Sequence, residues 1–340
     1  MSKKWMMGIL AAVVLLCSGC KAEDGQSHEE AGKAALQLVT SQTAESDASM
    51  EEAFTCTDAL GREVVLSGEL LAKIRQGQYK AAVLSGSLAE IWTLAGGSLA
   101  VVTEDAYEEE NRLLAISEDT VSAGSLKHPG MEILASEEVD LVILSAALEG
   151  QVSMAETLEQ LQIPAIYLSV ESFWDYLDAL KLLTEITGCQ DGYETYGAAV
   201  EERVQSQVAR QDDSQPEILL LRAYSSGVKA KGSDNMTGYM LKELGCVNIA
   251  DTRQALAEEV SLEAIVLADP EYIFVTTMGS SEEAALESLN SLLADQPAWK
   301  SLTAVKEGRY YVLPQNLFHN KPNQRWAESY EILADILYED

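Results

Sequence analysis

Residues 81–97, with the sequence AAVLSGSLAEIWTLAGG, contain the pattern that decides the fold. A short apolar run is followed by Ser85-Gly86-Ser87 and then by a helical stretch that ends at Gly96-Gly97. A buried strand followed by a polar turn and a helix is typical of a βαβ unit, in which successive strands run parallel. Ser87 and Glu90 have the spacing of a capping box, which predicts that the helix begins after Ser87.

The same alternation continues on both sides of this stretch. Further strands are predicted at 99–103, 139–144, 165–168, 218–222, 272–276 and 310–313. Short apolar strands separated by helices indicate parallel sheets covered on both faces. Only helical patterns occur from Ser172 to Arg210, with a start signal at Ser172 and Asp175 and a stop at Gly188. The sequence therefore predicts an α/β fold of two doubly wound α/β lobes bridged by a helical backbone segment.

The expected boundaries of the two lobes and the linker lie where the strand–helix alternation stops and resumes. An N-terminal lobe is expected at 53–170, a helical linker at 171–211 and a C-terminal lobe at 212–340. One internal similarity supports two related lobes, because residues 131–144 align without gaps with residues 262–275. Each copy reads as a helix with a glutamate in its first turn, followed by a buried strand. Helix–strand units resemble one another in general, so this similarity alone leaves the relation between the lobes open.

The first twenty residues have the features of an export signal. Two lysines in Met1–Lys4 precede the apolar run Trp5–Leu16, which is too short to span a bilayer, and Ser18-Gly19-Cys20 follows. These last residues resemble the lipobox of bacterial lipoproteins, which implies a signal peptide at 1–19 and lipidation of Cys20. An ordinary signal peptide with a chance cysteine is the alternative. Residues 20–52 are polar and acidic, as expected for a flexible tether.

Composition excludes several classes of function. The formal net charge is −32, and removal of Lys3 and Lys4 with the signal would make it −34. Such acidity argues against binding to nucleic acid and against adsorption to anionic lipid. Membrane association would therefore depend on the lipid at Cys20. The remaining cysteines, Cys56, Cys189 and Cys246, lack metal-ligand spacing and are expected to be core residues.

Several stretches together resemble one known family, the lipoprotein substrate-binding components of ABC importers for ferric siderophores, haem and cobalamin. The likeness covers about residues 53–340 and rests on the order and spacing of its parts. Besides the lipobox these are Asp58–Arg62, Val83–Ile91 with Ala95–Gly97, Gly124–Glu132 with Asp140–Ile143, Leu244–Ala250 and Val260–Glu263.

The resemblance implies a ligand cleft between the lobes and no catalytic chemistry or cofactor. It implies a protein that acts as a monomer on the extracytoplasmic face of the bacterial cell membrane and delivers a small-molecule metal chelate to an ABC permease and its ATPase. A ferric siderophore is the first expectation for the cargo, before haem or cobalamin. In this family one glutamate on each lobe docks against arginines of the permease, and by position these are Glu132 and Glu263.

Ligands of doubly wound sheets lie beyond the carboxyl ends of the strands, which nominates particular loops. The candidates are Ser85, Gly86, Ser87, Tyr107, Lys127 and His128 in the first lobe, and Arg222, Tyr224, Lys231, Asn316, His319, Lys321 and Arg325 in the second. The amides of 85–87 either receive an anion or only cap a helix. The basic residues, with Lys229, either form a positive pocket or are separately solvated. Arg325 begins the last helix, an unfavourable place for a cation, so it is expected to bind ligand or an ion-pair partner.

Three other functions are weighed against this hypothesis. A zinc or manganese import receptor would need several imidazoles, and the body contains only His128 and His319. A secreted hydrolase is disfavoured because the sequence has no Gly-x-Ser-x-Gly nucleophile elbow. A tethered sensor or adhesin on the same fold stays possible from sequence.

Overall fold

The computed structural model describes residues 52–338, apart from 109–113, 115, 213, 254–255, 257–259 and 280. The predicted signal peptide, Cys20 and residues 20–51 of the predicted tether lie outside the described residues. In the part of the chain that is described, no helix combines the length and apolar character needed to cross a membrane.

The first lobe is a five-stranded parallel sheet with helices on both faces, preceded by an antiparallel hairpin of β1 and β2. The strands are β1 Phe54–Thr57, β2 Glu63–Leu66, β3 Ala81–Val83, β4 Val101–Val102, β5 Val121–Ser122, β6 Leu141–Ser145 and β7 Ala165–Leu168. The helices are α1 Gly68–Arg75, α2 Gly86–Leu94, α3 Met131–Ser136, α4 Glu149–Val152 and α5 Ala155–Gln160, with a 3₁₀ turn at Glu104–Tyr107. The sheet order is β5-β4-β3-β6-β7.

The apolar runs of this sheet are continuous because both of its faces are buried. Along β3, Ala81 and Val83 belong to one apolar cluster, whereas Ala82 belongs to another on the opposite face. Successive side chains of a strand point to opposite faces, so a strand covered on both sides has no polar alternation. The predicted parallel sheet with two covered faces is therefore confirmed.

The connecting segment is helical throughout. It contains α6 Phe173–Thr187, α7 Gln190–Tyr193, a π-helical turn at Glu194–Ala198 and α8 Ala199–Val208. The Ser172 side chain accepts a hydrogen bond from the Asp175 amide, and the Asp175 side chain accepts one from the Ser172 amide. At the other end Gly188 adopts the left-handed conformation with φ 77°, which a residue without Cβ tolerates best. Both predicted ends of α6 are confirmed.

The second lobe also contains a five-stranded sheet, with four parallel strands and one antiparallel strand. Its strands are β8 Glu217–Tyr224, β9 Gly227–Ala230, β10 Val247–Asn248, β11 Tyr272–Thr277 and β12 Tyr310–Val312. Its helices are α9 Met236–Glu243, α10 Ile249–Thr252, α11 Leu262–Ala268, α12 Glu282–Leu289, α13 Thr303–Lys306, α14 Gln315–Phe318 and α15 Trp326–Tyr338. A π-helical turn lies at Asn290–Ala294, and 3₁₀ turns lie at Trp299–Ser301 and Asn323–Arg325. The order β10-β8-β11-β12 is parallel, and β9 pairs antiparallel with β8.

A single apolar cluster joins the two sheets through the helical segment. It contains Ile143 of β6, Leu180 of α6 and Leu220 of β8. The ring of Phe173 on α6 lies 5.9 Å from Trp326 and 6.3 Å from Tyr330, both on α15. The predicted α/β architecture of two lobes bridged by helices is confirmed, while the residues at which the lobes were expected to begin and end stay predictions.

Two local expectations are wrong. Helix α2 begins at Gly86 after Ser85, and the carboxylate of Glu90 binds the side chain of Asn323 instead of capping the helix. A partner 233 residues away therefore replaces the local one. Of the cysteines expected in the core, only Cys246 is buried, whereas Cys56 and Cys189 are half-buried, and all three are free.

Candidate functional site

The loop after β3 is already occupied by a carboxylate of the same chain. The Gly86 amide donates to Asp105 Oδ2 at 2.7 Å, and the hydroxyls of Ser85 and Ser87 lie 3.2 Å apart. One of the three amides expected to receive an anion is therefore engaged by an internal one. Tyr107, on the same 3₁₀ turn as Asp105, is 50% exposed and donates its hydroxyl to the Thr120 carbonyl at 3.1 Å.

Lys127 and His128 line a pocket of about 430 Å³ beyond the carboxyl ends of β5 and β6. The other lining residues are Ala147, Leu148, Glu149, Gly150 and Ser153. A Cβ atom on Gly150 would lie 2.0 Å from the carbonyl oxygen of Lys127, so a residue without a side chain is required there. Close approach of the two backbones keeps both basic side chains at the pocket, where each is exposed.

The second lobe carries a group of basic residues on one face of its sheet. The register of the β8–β9 hairpin places Arg222 directly opposite Lys229. Residues opposite each other in an antiparallel pair point to the same face, and like charges in such a pair destabilise it. Lys231 follows the end of β9, and its amide donates to the Leu220 carbonyl at 2.9 Å. The buried Nε of Arg222 has no hydrogen-bond partner among the described residues.

His319 lies close to Arg222. Burial is the main cause, with smaller contributions from the positive charges of Arg222 and Lys321, and together they lower the pKa of His319 to about 4. The imidazole is therefore neutral at physiological pH, and its buried Nδ1 has no hydrogen-bond partner within the described part of the chain. Lys321 forms an ion pair with Glu171 at 3.0 Å. We call Arg222, Lys229, His319 and Lys321 the basic cluster.

The other predicted residues of the second lobe have more ordinary surroundings. Arg325 binds the Glu328 carboxylate with two hydrogen bonds of 2.7 and 2.8 Å, so its cation is paired one turn along the chain. Of the two roles expected for Arg325, the structure therefore contains the ion pair. Tyr224 ends β8 opposite Gly227, and Asn316 is exposed on α14.

The two lobes meet at Asn323, which lies in the loop between the predicted ligand residues Lys321 and Arg325. Asn323 is fully buried and donates through Nδ2 to the Ser87 carbonyl at 3.1 Å and to Glu90 Oε2 at 2.7 Å. Burial raises the pKa of Glu90, although the hydrogen bond from Asn323 opposes that shift. A single asparagine in a polar loop gives no local signal of such a role, since both partners lie in the other lobe.

Glu132 and Glu263 occupy equivalent places in the two lobes. Each is exposed in the first turn of the helix that precedes a central strand, α3 before β6 and α11 before β11. Among the described residues, no three or more His, Cys, Asp or Glu side chains are grouped so that they could hold a metal ion.

The profile of the periplasmic binding protein family matches residues 82–317, which include nearly all of both parallel sheets and the candidate site residues from Ser85 to Asn316, but not His319, Lys321 or Arg325. The chain belongs to the periplasmic binding protein family. The family resemblance found in the sequence is confirmed by this match.

Two solved structures illustrate the likeness of this periplasmic binding protein to others. The periplasmic catecholate-siderophore binding protein VctP of Vibrio cholerae is 17% identical, with a TM-score of 0.64 over 84% of this chain and 99% of that chain. The Staphylococcus aureus protein IsdE, complexed with heme, is 15% identical, with a TM-score of 0.60 over 77% and 99%. At these identities the likeness establishes the fold alone.

A curated relative is the Fe(3+)-citrate-binding protein YfmC of Bacillus subtilis (strain 168). It is 26% identical over 206 residues, which make up 59% of this chain and 61% of the relative. The chain thus spans about three fifths of the length of the curated relative that it matches.

Proposed function

We propose that this periplasmic binding protein captures a small anionic metal chelate outside the cytoplasm and delivers it to an ABC permease. The observation that carries this proposal is the basic cluster in a chain of net charge −32. Arg222 and Lys229 face each other, and the buried Nε of Arg222 has no partner among the residues described. Paired like charges cost stability unless an anion lies between them, and a local positive region attracts one.

A ferric siderophore is the first candidate for the cargo, followed by haem and cobalamin. An arginine binds carboxylate oxygens with two parallel hydrogen bonds, and neutral His319 can donate one hydrogen bond and accept another. The names of the related proteins support the same class, since they refer to ferric citrate, a catecholate siderophore and heme. All of these ligands are anionic or carry anionic groups.

The remaining parts of the proposal concern location and partners. Cys20 carries the lipid that holds a monomeric protein at the extracytoplasmic face of the membrane, and Glu132 and Glu263 dock on arginines of the permease. Their support is the sequence pattern at Cys20 and the equivalent exposed positions of the two glutamates.

The cargo is tested by titrating intrinsic tryptophan fluorescence with ferric citrate, a ferric catecholate, haem and cobalamin. We expect saturable binding of one of these chelates. Arg222→Gln should weaken that binding by about tenfold or more, because a charged hydrogen-bond donor is lost. Lys300→Gln is the matched control, since it removes an exposed cation beside Trp299, which packs against the first residue of β12 at the other end of the sheet.

Two results would contradict the proposal. If no chelate binds, or if Arg222→Gln binds as tightly as the wild-type protein, the basic cluster is not the ligand site. Titration with Zn²⁺ and Mn²⁺ belongs to the same experiment, and saturable binding of a bare ion without any chelate would favour a metal-ion import receptor. Turnover of an ester panel that is lost in His319→Ala would favour a hydrolase.

A further inference from the structure

Gln151 is a fully buried polar residue on the short helix α4. Its Nε2 donates hydrogen bonds to the carbonyl oxygens of Leu84 and Leu126, the latter at 2.8 Å. Its Oε1 accepts a hydrogen bond from the Ser145 amide at 2.8 Å. Both amide protons and the amide oxygen are therefore used, as burial requires of a polar side chain.

These three partners belong to three different segments of the first lobe. Leu84 follows β3 and precedes the Ser85–Ser87 loop, while Leu126 precedes Lys127 and His128. Ser145 ends β6. In the sheet order β5-β4-β3-β6, strand β4 separates β5 from β3, so ladder hydrogen bonds do not join the loops that follow β3 and β5.

The backbone of Gln151 is held by a hydrogen bond from β7, the strand at one edge of the sheet. The Tyr167 hydroxyl on β7 donates to the Gln151 carbonyl at 2.8 Å. Burial raises the pKa of Tyr167 to about 12, so the phenol keeps its proton as a donor. The guanidinium of Arg62 lies 4.6 Å from the centre of the Tyr167 ring and binds Asp58 Oδ2 in the β1–β2 hairpin. The support of Gln151 thus extends to the hairpin that opens the lobe.

We propose that Gln151 is a positioning residue of the ligand cleft, whose amide fixes the spacing between the loop of Ser85–Ser87 and the loop of Lys127 and His128. The proposal rests on the proposed function, because it assumes that these loops contact the cargo. An apolar side chain of the same size would fill the space but leave the carbonyls of Leu84 and Leu126 without donors. Each loop would then be free to move away from the other.

The test compares Gln151→Met with Leu158→Ala in the full chain. Leu158 is fully buried on α5 in the same lobe, so its truncation weakens that lobe without removing a hydrogen bond from either loop. Hydrogen exchange measured without ligand should be about tenfold faster in peptides covering 84–90 and 123–130 of Gln151→Met than in Leu158→Ala. Equal exchange in the two variants would overturn the proposal.

Tyr167→Phe is a milder second variant in case Gln151→Met does not fold. It keeps the ring that packs beneath Arg62 and removes only the hydroxyl that holds the Gln151 backbone. We expect faster exchange in the same two peptides, by a smaller factor than for Gln151→Met. Exchange equal to that of the wild-type protein in both peptides would count against the proposal.

Binding of ferric citrate separates this proposal from the proposed function. We expect Gln151→Met to bind about tenfold more weakly than the wild-type protein, and Leu158→Ala to bind within about twofold of it. Undiminished binding by Gln151→Met would overturn a role in the cleft. If the wild-type protein does not bind ferric citrate while the loops of Gln151→Met still exchange faster, the ligand assignment fails and the structural role of Gln151 stands.

Discussion

His319 shows how the charge around one residue sets its response to pH. Its pKa in the folded protein is about 4, below the ordinary value of 6.5, because of burial and then of Arg222 and Lys321. A base whose pKa is lowered by folding binds more protons when unfolded. Its contribution to stability is therefore intact above pH 6.5 and is lost as the pH falls from about 6.5 to about 4.

Replacing His319 should remove that part of the pH dependence. We expect the free energy of unfolding of His319→Gln to fall less than that of the wild-type protein between pH 7 and pH 4, as measured by urea unfolding at several pH values. Asn316→Ala is the control, because Asn316 is exposed and carries no titratable group, so this variant should keep the wild-type pH dependence. If the free energy of unfolding of His319→Gln falls with decreasing pH as steeply as that of the wild-type protein, His319 does not cause this pH dependence.

Contacts between individual side chains could be predicted from the sequence only where the two partners are close along the chain. Arg325 was expected to bind ligand or an ion-pair partner because it begins the last helix, and its partner Glu328 lies three positions along the chain. The pair of Glu90 and Asn323 spans 233 positions and was missed, and a local capping box was predicted in its place. Gln151 was also missed, since its partners converge only when the sheet has formed. Local spacing identifies contacts within one turn of a helix, whereas buried polar contacts depend on tertiary packing.

The start of helix α6 is stabilised by local contacts, because Ser172 and Asp175 form a capping box. Ser172→Ala would remove the hydroxyl that accepts the Asp175 amide and leave that donor without its cap. We expect a loss of about 1 kcal/mol in the free energy of unfolding, as measured by urea denaturation. Ser226→Ala, at an exposed position of the turn between β8 and β9, should change this free energy by less than about 0.5 kcal/mol. Equal losses in both variants would contradict the capping role.

Elements were predictable where their signals are local. The two ends of α6 and the matching α3–β6 and α11–β11 units correspond to the predicted pattern. The π-helical turn at Glu194–Ala198 was not predicted, because such turns are rare and occur as single turns within α-helices. The strand expected at 99–103 contains only Val101–Val102, because the pairing with its neighbours is that short.

At the scale of the whole molecule, the two lobes and the helical segment between them were predicted, but the packing that joins them was not. The sequence pattern separated two α/β regions from a helical segment. It did not indicate that one apolar cluster runs from β6 through α6 to β8, nor that Asn323 crosses between the lobes. Packing between distant elements has no signature in spacing or composition.

The equivalent positions of Glu132 and Glu263 lead to a prediction for the whole protein and its partner. Glu132→Arg with Glu263→Arg should abolish chelate uptake by cells, since the proposed docking on permease arginines would become repulsive. Chelate binding by the purified double variant should be unchanged. Glu283→Arg reverses another exposed glutamate in the first turn of a helix and should leave uptake intact. Normal uptake by the double variant would refute the docking assignment.

The opposed cations of the β8–β9 hairpin also have a practical consequence. Without cargo, the hairpin is electrostatically frustrated, and any polyanion that settles between Arg222 and Lys229 relieves the repulsion. A ligand that binds only the native state raises the melting temperature in proportion to the logarithm of its excess over the dissociation constant. A dye-based thermal screen of growth-medium fractions would therefore reveal the natural cargo before its chemistry is known.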